Sequence, residues 1–286
     1  MIRTAAIAAA IGLSGLLTGT AALRAGPADA ENCDRLAAYP DDPNKPVGIA
    51  GHYEIPAHDI ANALKACKRA ANAPGAPRRI LFQLGRAYEF ARQPAQAVKA
   101  YRRAVAAGST SAMVGLGTMY ASGTGVAADL AEARRLFEQS AAAGNAIGMT
   151  NLGSIYGAGV GVQVDFAKAR SWYEKAAAAN SAEAMFQLGL MTQDGDGGAK
   201  DPAAAKVLFE KAAARDHAGA LERLGAYAEA GLAGPKDQAA ALAFYKKAAA
   251  LGDQDAAAAL RRLRCPFTLK DKSGKVVGDI CFDGKD

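Results

Sequence analysis

The chain has 286 residues, a formal charge of +6 and a half-apolar composition with few aromatics. Its Lys and Arg residues form no aromatic-interleaved basic tract, which argues against a nucleic-acid partner. A modest positive excess instead favours solubility and attraction to an acidic partner or an anionic surface.

Arg3, the apolar run over residues 5–17 and the small-residue triplet Ala28, Asp29, Ala30 predict a signal peptide over residues 1–30. The run is short for a membrane span and no second long apolar segment follows, so the mature chain is expected to lack one. Localisation is therefore predicted as periplasmic or secreted. The residues before Cys33 lack the Leu-x-x-Cys arrangement of lipoproteins.

Four cysteines in an exported chain read as two disulfides, with three pairings open. Spacing favours Cys265 with Cys281, which flank a β-prone stretch and its turn at Ser273, leaving Cys33 for Cys67. Residues 31–79 then form a disulfide-tied N-terminal capping region. Residues 32–38 are the stub of a first helix, stopped by Pro40, and residues 58–71 are its partner.

From residue 80 onward the chain is periodic. Residues 80–110 carry Leu81, Leu84, Gly85 and Tyr88, then Ala97, Tyr101 and Ala104, two amphipathic helical stripes. Over residues 111–254 the pair Leu-Gly recurs at Leu116, Leu152, Leu188 and Leu224, each 36 residues after the last. Such a period predicts stacked helix-turn-helix units. In the first copy Met113, Leu116, Gly117 and Tyr120 line one face, Gly123 and Gly125 break the helix, and Asp129 caps a second helix bearing Ala133, Phe137 and Ala141. Glycine inside a helix costs about 1 kcal/mol against alanine. Its return at Gly117, Gly153, Gly189 and Gly225 predicts a point where a side chain would collide with the neighbouring helix. Residues 255–286 are predicted as a cap helix and a disulfide-bound β-hairpin.

The succession Leu-Gly-x2-Tyr-x2-Gly-x-Gly-Val-x2-Asp-x3-Ala-x3-aromatic resembles Sel1-like repeats, a branch of the tetratricopeptide superfamily. The match is strong over residues 111–182. It weakens where Thr192 and Ala228 replace the tyrosine and where the loops at Gly195 to Gly198 and Gly231 to Gly234 lose the Gly-x-Gly-Val form; these departures bear on the loops more than the helices. Residues 80–110 resemble a plain tetratricopeptide unit. The resemblance implies an all-α, right-handed α-solenoid acting as a protein-binding scaffold in the bacterial envelope, an adaptor or a regulator of a sensor ectodomain. A binder of cell-wall glycan or of a wall enzyme is the alternative, and a β-lactam-related or other hydrolase the third reading. The third is weakened because related cysteine-rich members carry a cysteine pair in each repeat and these repeats carry none.

Binding in this superfamily runs along the concave face. Projected onto this chain, that face comprises Arg79, Phe82, Arg86 and Glu89, then Val114, Thr118 and Ser122, then Thr150 and Ser154, then Phe186, Leu190 and Gln193, and finally Glu222 and Glu229. An extended peptide or a helix anchored by Phe82 and Phe186 is the expected ligand. No catalytic residue, cofactor or metal site is expected. His52, Glu54 and His58 lack helical spacing, and Asp194 with Asp196 lacks the closing glutamate of a calcium loop. No enzymatic activity is predicted.

Overall fold

A computed structural model describes residues 26–264 and 267–280. Residues 1–25 of the expected signal peptide, and Cys265 and Cys281 with their expected bridge, lie outside the described residues. Residues 26–30 are described, and they form the cap and first turn of the first helix.

The helices come in antiparallel pairs. They are α1 (Pro27–Ala37) with α2 (Ile60–Ala71), α3 (Arg78–Phe90) with α4 (Pro94–Ala106), α5 (Thr110–Ser122) with α6 (Leu130–Ala142) and α7 (Ala146–Ala158) with α8 (Phe166–Ala178). Then follow α9 (Ala182–Asp194) with α10 (Pro202–Ala213), α11 (Ala218–Ala230) with α12 (Gln238–Ala250), and α13 (Gln254–Arg264). Each helix packs on the one before and the one after, and the first helices of neighbouring pairs also touch near both ends. The architecture is an all-α solenoid. Beyond it, β1 (Phe267–Lys270) and β2 (Val276–Ile280) pair antiparallel, and Asp271 holds the turn by accepting from the N–H groups of Ser273 and Lys275.

Local chemistry explains why each unit looks alike. The first helices α5, α7, α9 and α11 start at Ser109, Asn145, Ser181 and His217, each accepting a backbone N–H from the first turn. The second helices α6, α8, α10 and α12 start at Asp129, Asp165, Asp201 and Asp237, which cap in the same way. The helical glycines behave as expected. Gly85, Gly117, Gly153, Gly189 and Gly225 each press against the ring of the pair's second helix, namely Tyr101, Phe137, Tyr173, Phe209 and Tyr245. All five rings are buried. Burying one such ring stabilises by roughly 1.5–3 kcal/mol.

The loops of the two divergent repeats keep the geometry of the others. In every repeat the capping aspartate closes the loop with its own N–H, Asp129 to the Tyr120 carbonyl, Asp165 to Tyr156, Asp201 to Thr192 and Asp237 to Ala228, at 2.8–3.0 Å. Because the acceptor is a main-chain oxygen, loss of the tyrosine side chain at Thr192 and Ala228 leaves the closure intact. In the third repeat Arg170 adds bonds from its guanidinium to the Asp196 carbonyl and the Thr192 hydroxyl.

At the N-terminal end Cys33 and Cys67 are joined by a disulfide that ties α1 to α2 inside the core. Between those helices, residues 38–59 form a long proline-bearing segment without regular structure beyond turns.

Candidate partner-binding surface

The 38–59 segment lies against the first-helix face of α3 and α5, and Arg86 holds it there. This side chain is buried; its Nη1 donates to the Ala37 carbonyl at 2.8 Å and its Nη2 to the carbonyls of His52 and Tyr53 at 2.6 and 2.7 Å. Its guanidinium also lies over the Tyr39 ring at 4.9 Å, a cation–π contact. Two further ties fix the segment. The Ser111 hydroxyl donates to Asp42, and Arg78 donates to the Asn44 amide oxygen.

The result is a partly open cup of about 420 Å³. Tyr39 and Tyr53 supply one wall, Phe82, Arg86, Glu89 and Phe90 of α3 another, and Tyr101, Ser111, Val114, Gly115, Thr118 and Ile147 the rest. Phe82 stands edge-on to Tyr39 at 6.4 Å and packs on Tyr101 at 5.9 Å. Burial pushes the Tyr39 hydroxyl up to about 12, and the neighbouring Asp41 adds to the effect. Glu89 accepts a short hydrogen bond from Tyr101 at the rim. Desolvation by the walls raises its carboxyl above the ordinary value, opposed by the Tyr101 hydroxyl and the Arg86 charge.

A second, wider cavity of about 920 Å³ shares Tyr39, Tyr53 and Ile147 with the cup. It runs along the starts of α7, α9 and α11, bounded by Thr150, Asn151, Ser181, Glu183, Arg215, Asp216 and His217. His217 caps α11 through Nδ1, so its proton sits on Nε2, 3.0 Å from Glu183. That bond is the main cause holding the Glu183 carboxyl below its usual range.

The face projected from the sequence is thus only partly assembled as a site. Phe82, Arg86, Glu89, Val114 and Thr118 gather in the cup, and Thr150 lines the trough, where its hydroxyl bonds the Ala146 carbonyl and Ser181. Arg86 lines the cup while three of its five N–H donors go to backbone carbonyls. Arg79 turns away to an ion pair with buried Asp34, which Gln83 also contacts.

The remaining residues line neither cavity. Phe186 stacks on His217 at 4.6 Å and Leu190 packs into the core below it. Ser122 bonds Thr124, Ser154 meets the Tyr173 hydroxyl, and Gln193 meets Asp194. Glu222 pairs with Arg223, and Glu229 receives a two-pronged bond from Arg262. Sequence reasoning missed Tyr39, Tyr53 and Asp41. The only signal for them was an aromatic- and proline-bearing stretch too long to be a simple connector.

The repeats α5–α6, α7–α8, α9–α10 and α11–α12 coincide with four matches to the Sel1 repeat model, over residues 110–145, 146–181, 182–217 and 218–253. The chain belongs to the Sel1 repeat family. The pair α3–α4 precedes the matched Sel1 repeats, consistent with its shorter loop. Among solved structures, the chain resembles a Sel1 repeat protein from Oxalobacter formigenes at 28% identity and a TM-score of 0.66, covering 73% of this chain and 88% of that one. It also resembles c5321, a protective antigen of uropathogenic Escherichia coli strains that displays a Sel1-like repeat fold. There the identity is 29% and the TM-score 0.59, over 73% of this chain and 47% of that one, so the chain spans about half the antigen's length. No curated protein sequence matches the chain. Sel1 repeats generally serve protein–protein interaction, and the scaffold described here has that form.

Proposed function

We propose that this Sel1 repeat protein is an exported adaptor or regulator of the bacterial envelope that holds a protein partner along its first-helix face. The observation that carries this reading is the pair of adjoining cavities on that face, of about 420 and 920 Å³. They are bounded by rigid helices and by a loop fixed in place, which lowers the ordering cost of binding. The Cys33–Cys67 disulfide supports an oxidising compartment. Among the described residues no helix is long and apolar enough to cross a membrane.

The test is site-specific photo-crosslinking in cells expressing the chain with its own N-terminus. A photo-reactive residue at Thr118, exposed on the cup, should trap a discrete envelope protein. The same residue at Glu138, exposed on the second helix α6, should not. Equal crosslinking from both positions, or recovery of the chain only in reduced form from the cytoplasm, would overturn the proposal.

A further inference from the structure

The chain is basic, yet the walls of its two cavities are not. The cup and trough together present four carboxylates, Asp41, Glu89, Glu183 and Asp216, against the guanidinium groups of Arg86 and Arg215 and no lysine. Both arginines are already engaged. Arg86 holds three main-chain carbonyls, and Arg215 donates to the Asn180 amide oxygen at 2.7 Å. Those bonds go to neutral oxygens, so the arginines keep their charge and the carboxylates of the lining still outnumber them by two; an excess of one sign between low-dielectric walls concentrates ligands of the opposite sign. The cup is mostly apolar, five aromatic rings being among its lining residues, and its volume lies in the usual range of ligand pockets, about 300–1,000 Å³.

We infer that the occupant of this face is a cationic, extended peptide segment, with one bulky apolar side chain seated in the cup and lysine or arginine side chains along the trough. The inference rests on the reading of this face as protein-binding and adds the chemistry of what binds. Asp41 is the pivotal residue. It is exposed, it borders the trough beside Tyr53, and its only described side-chain partner is the Tyr53 hydroxyl at 3.4 Å. Glu89 lines the cup, and the hydrogen bond described for its carboxylate, from the Tyr101 hydroxyl, is to Oε2, which leaves acceptor capacity on Oε1. Glu183 lies further along, with His217 and Gln187 on its two oxygens, and adds negative potential more than a free contact. Asp216 is partly offset by Lys247 at 3.0 Å.

The net charge of the protein makes the prediction discriminating. Non-specific attraction to a chain of charge +6 favours an anionic peptide, so a preference for a cationic one must come from a local site.

The experiment compares blocked, fluorescently labelled probe peptides with the oxidised full chain by anisotropy at low and moderate salt. The probes are one tryptophan flanked by lysines, one tryptophan flanked by glutamates, and one alanine flanked by lysines. The lysine–tryptophan probe should bind about tenfold tighter than either of the others, and salt should weaken it. Asp41→Asn with Glu183→Gln should cut that affinity roughly threefold or more. Thr118→Trp, an exposed position whose new ring would fill the cup, should abolish the advantage of tryptophan over alanine, with the melting curve unchanged as a check on folding. Equal or tighter binding of the glutamate–tryptophan probe would overturn the inference. If that binding were still lost in Thr118→Trp, the protein-binding reading would survive and only the charge of the partner would be wrong. Failure of every probe to bind would overturn the cationic-peptide inference, and crosslinking at Thr118 would then decide the proposed function separately.

Discussion

A β-carbon on Gly153 would lie 2.6 Å from Cε1 of Tyr173, closer than any real contact allows, and the same relationship recurs in every repeat. The ring belongs to the second helix of the same unit, so this contact sets how closely the two helices approach. Gly153→Ala should therefore destabilise by about 1–3 kcal/mol through overpacking, although alanine is the better helix former. Gly157 sits four residues later on α7, and a β-carbon there would meet only Ala169 at an ordinary 3.6 Å. Gly157→Ala should gain up to about 1 kcal/mol. Urea denaturation of the two variants beside the parent decides the matter, and a stabilised Gly153→Ala would remove the argument.

The repeats were legible in the sequence because their determinants are local: Leu152 and Gly153 share one turn, and Asp165 caps the helix it starts. The Cys33–Cys67 bridge was legible as the pair left once Cys265 and Cys281 are matched across a turn. The cup was not. Arg86 reads as one more polar residue on a helical face, and its partners Ala37, His52 and Tyr53 stand more than thirty residues earlier in a stretch with no period. Helix-face projection shows which residues could face a groove and cannot show which of them a distant loop has already taken. Phe186 illustrates the same point: its ring stacks on His217, the histidine at a position where other repeats have Ser or Asn, a contact that helix-face projection does not show.

Removing the Arg86 guanidinium should release the 38–59 segment. Arg86→Met keeps the apolar length of the side chain but strips the donors from three carbonyls, two of them in that segment. A loss of about 2–4 kcal/mol is expected, from charge-assisted bonds that leave buried acceptors unpaired. Chymotrypsin should then cut after Tyr39 or Tyr53 under native conditions, where the parent resists. An unchanged digestion pattern would mean that Asp42, Asn44 and the core hold the segment without Arg86.

The disulfide should matter for the same end of the solenoid and little elsewhere. Cys33 and Cys67 are fully buried in the N-terminal core cluster, and their loop spans 34 residues. Replacing both by serine should cost about 2–4 kcal/mol. Because each repeat contacts chiefly its neighbours, the loss should appear as early unfolding of α1 to α4 while the later repeats keep their midpoint. Hydrogen exchange resolved by segment is the readout, and a uniform loss of protection along the chain would refute a local effect.

Acid should loosen the other end. Arg262 on α13 donates to both oxygens of Glu229 on α11, at 2.6 and 2.7 Å, and Tyr245 adds a third bond. The Arg262 bond is the leading cause that holds the Glu229 carboxyl below its ordinary value, with Tyr245 assisting. A depressed folded-state value means that the stabilisation is whole above the ordinary glutamate range and is lost as pH falls through the lowered one. It should amount to about 1 kcal/mol, discounted because Arg262 is exposed. Parent and Glu229→Gln should thus differ at pH 7 and converge below about pH 4. A difference that persisted at low pH would assign the effect to packing of the side chain and not to its charge.

The fourth repeat carries a strained residue that the others avoid. Gly125, Gly161 and Gly197 occupy the left-handed region at φ 71°, 66° and 66°, and the equivalent position is Ala233 at φ 56°. The backbone shape is imposed by the loop closure onto the Ala228 carbonyl, which is common to all four repeats. An L-residue there costs roughly 1–2 kcal/mol, whereas glycine's greater freedom in the unfolded chain costs about 0.4–1 kcal/mol. Ala233→Gly should therefore stabilise by about 0.5–1 kcal/mol, the difference between those terms. Gly161→Ala should do the opposite and by more, since its β-carbon would also meet that of Leu130 at 2.9 Å. Denaturant midpoints of the two variants measure both signs. If Ala233→Gly lowered the midpoint, the loop of the fourth repeat would owe its form to a contact of the Ala233 methyl group rather than to the shared closure.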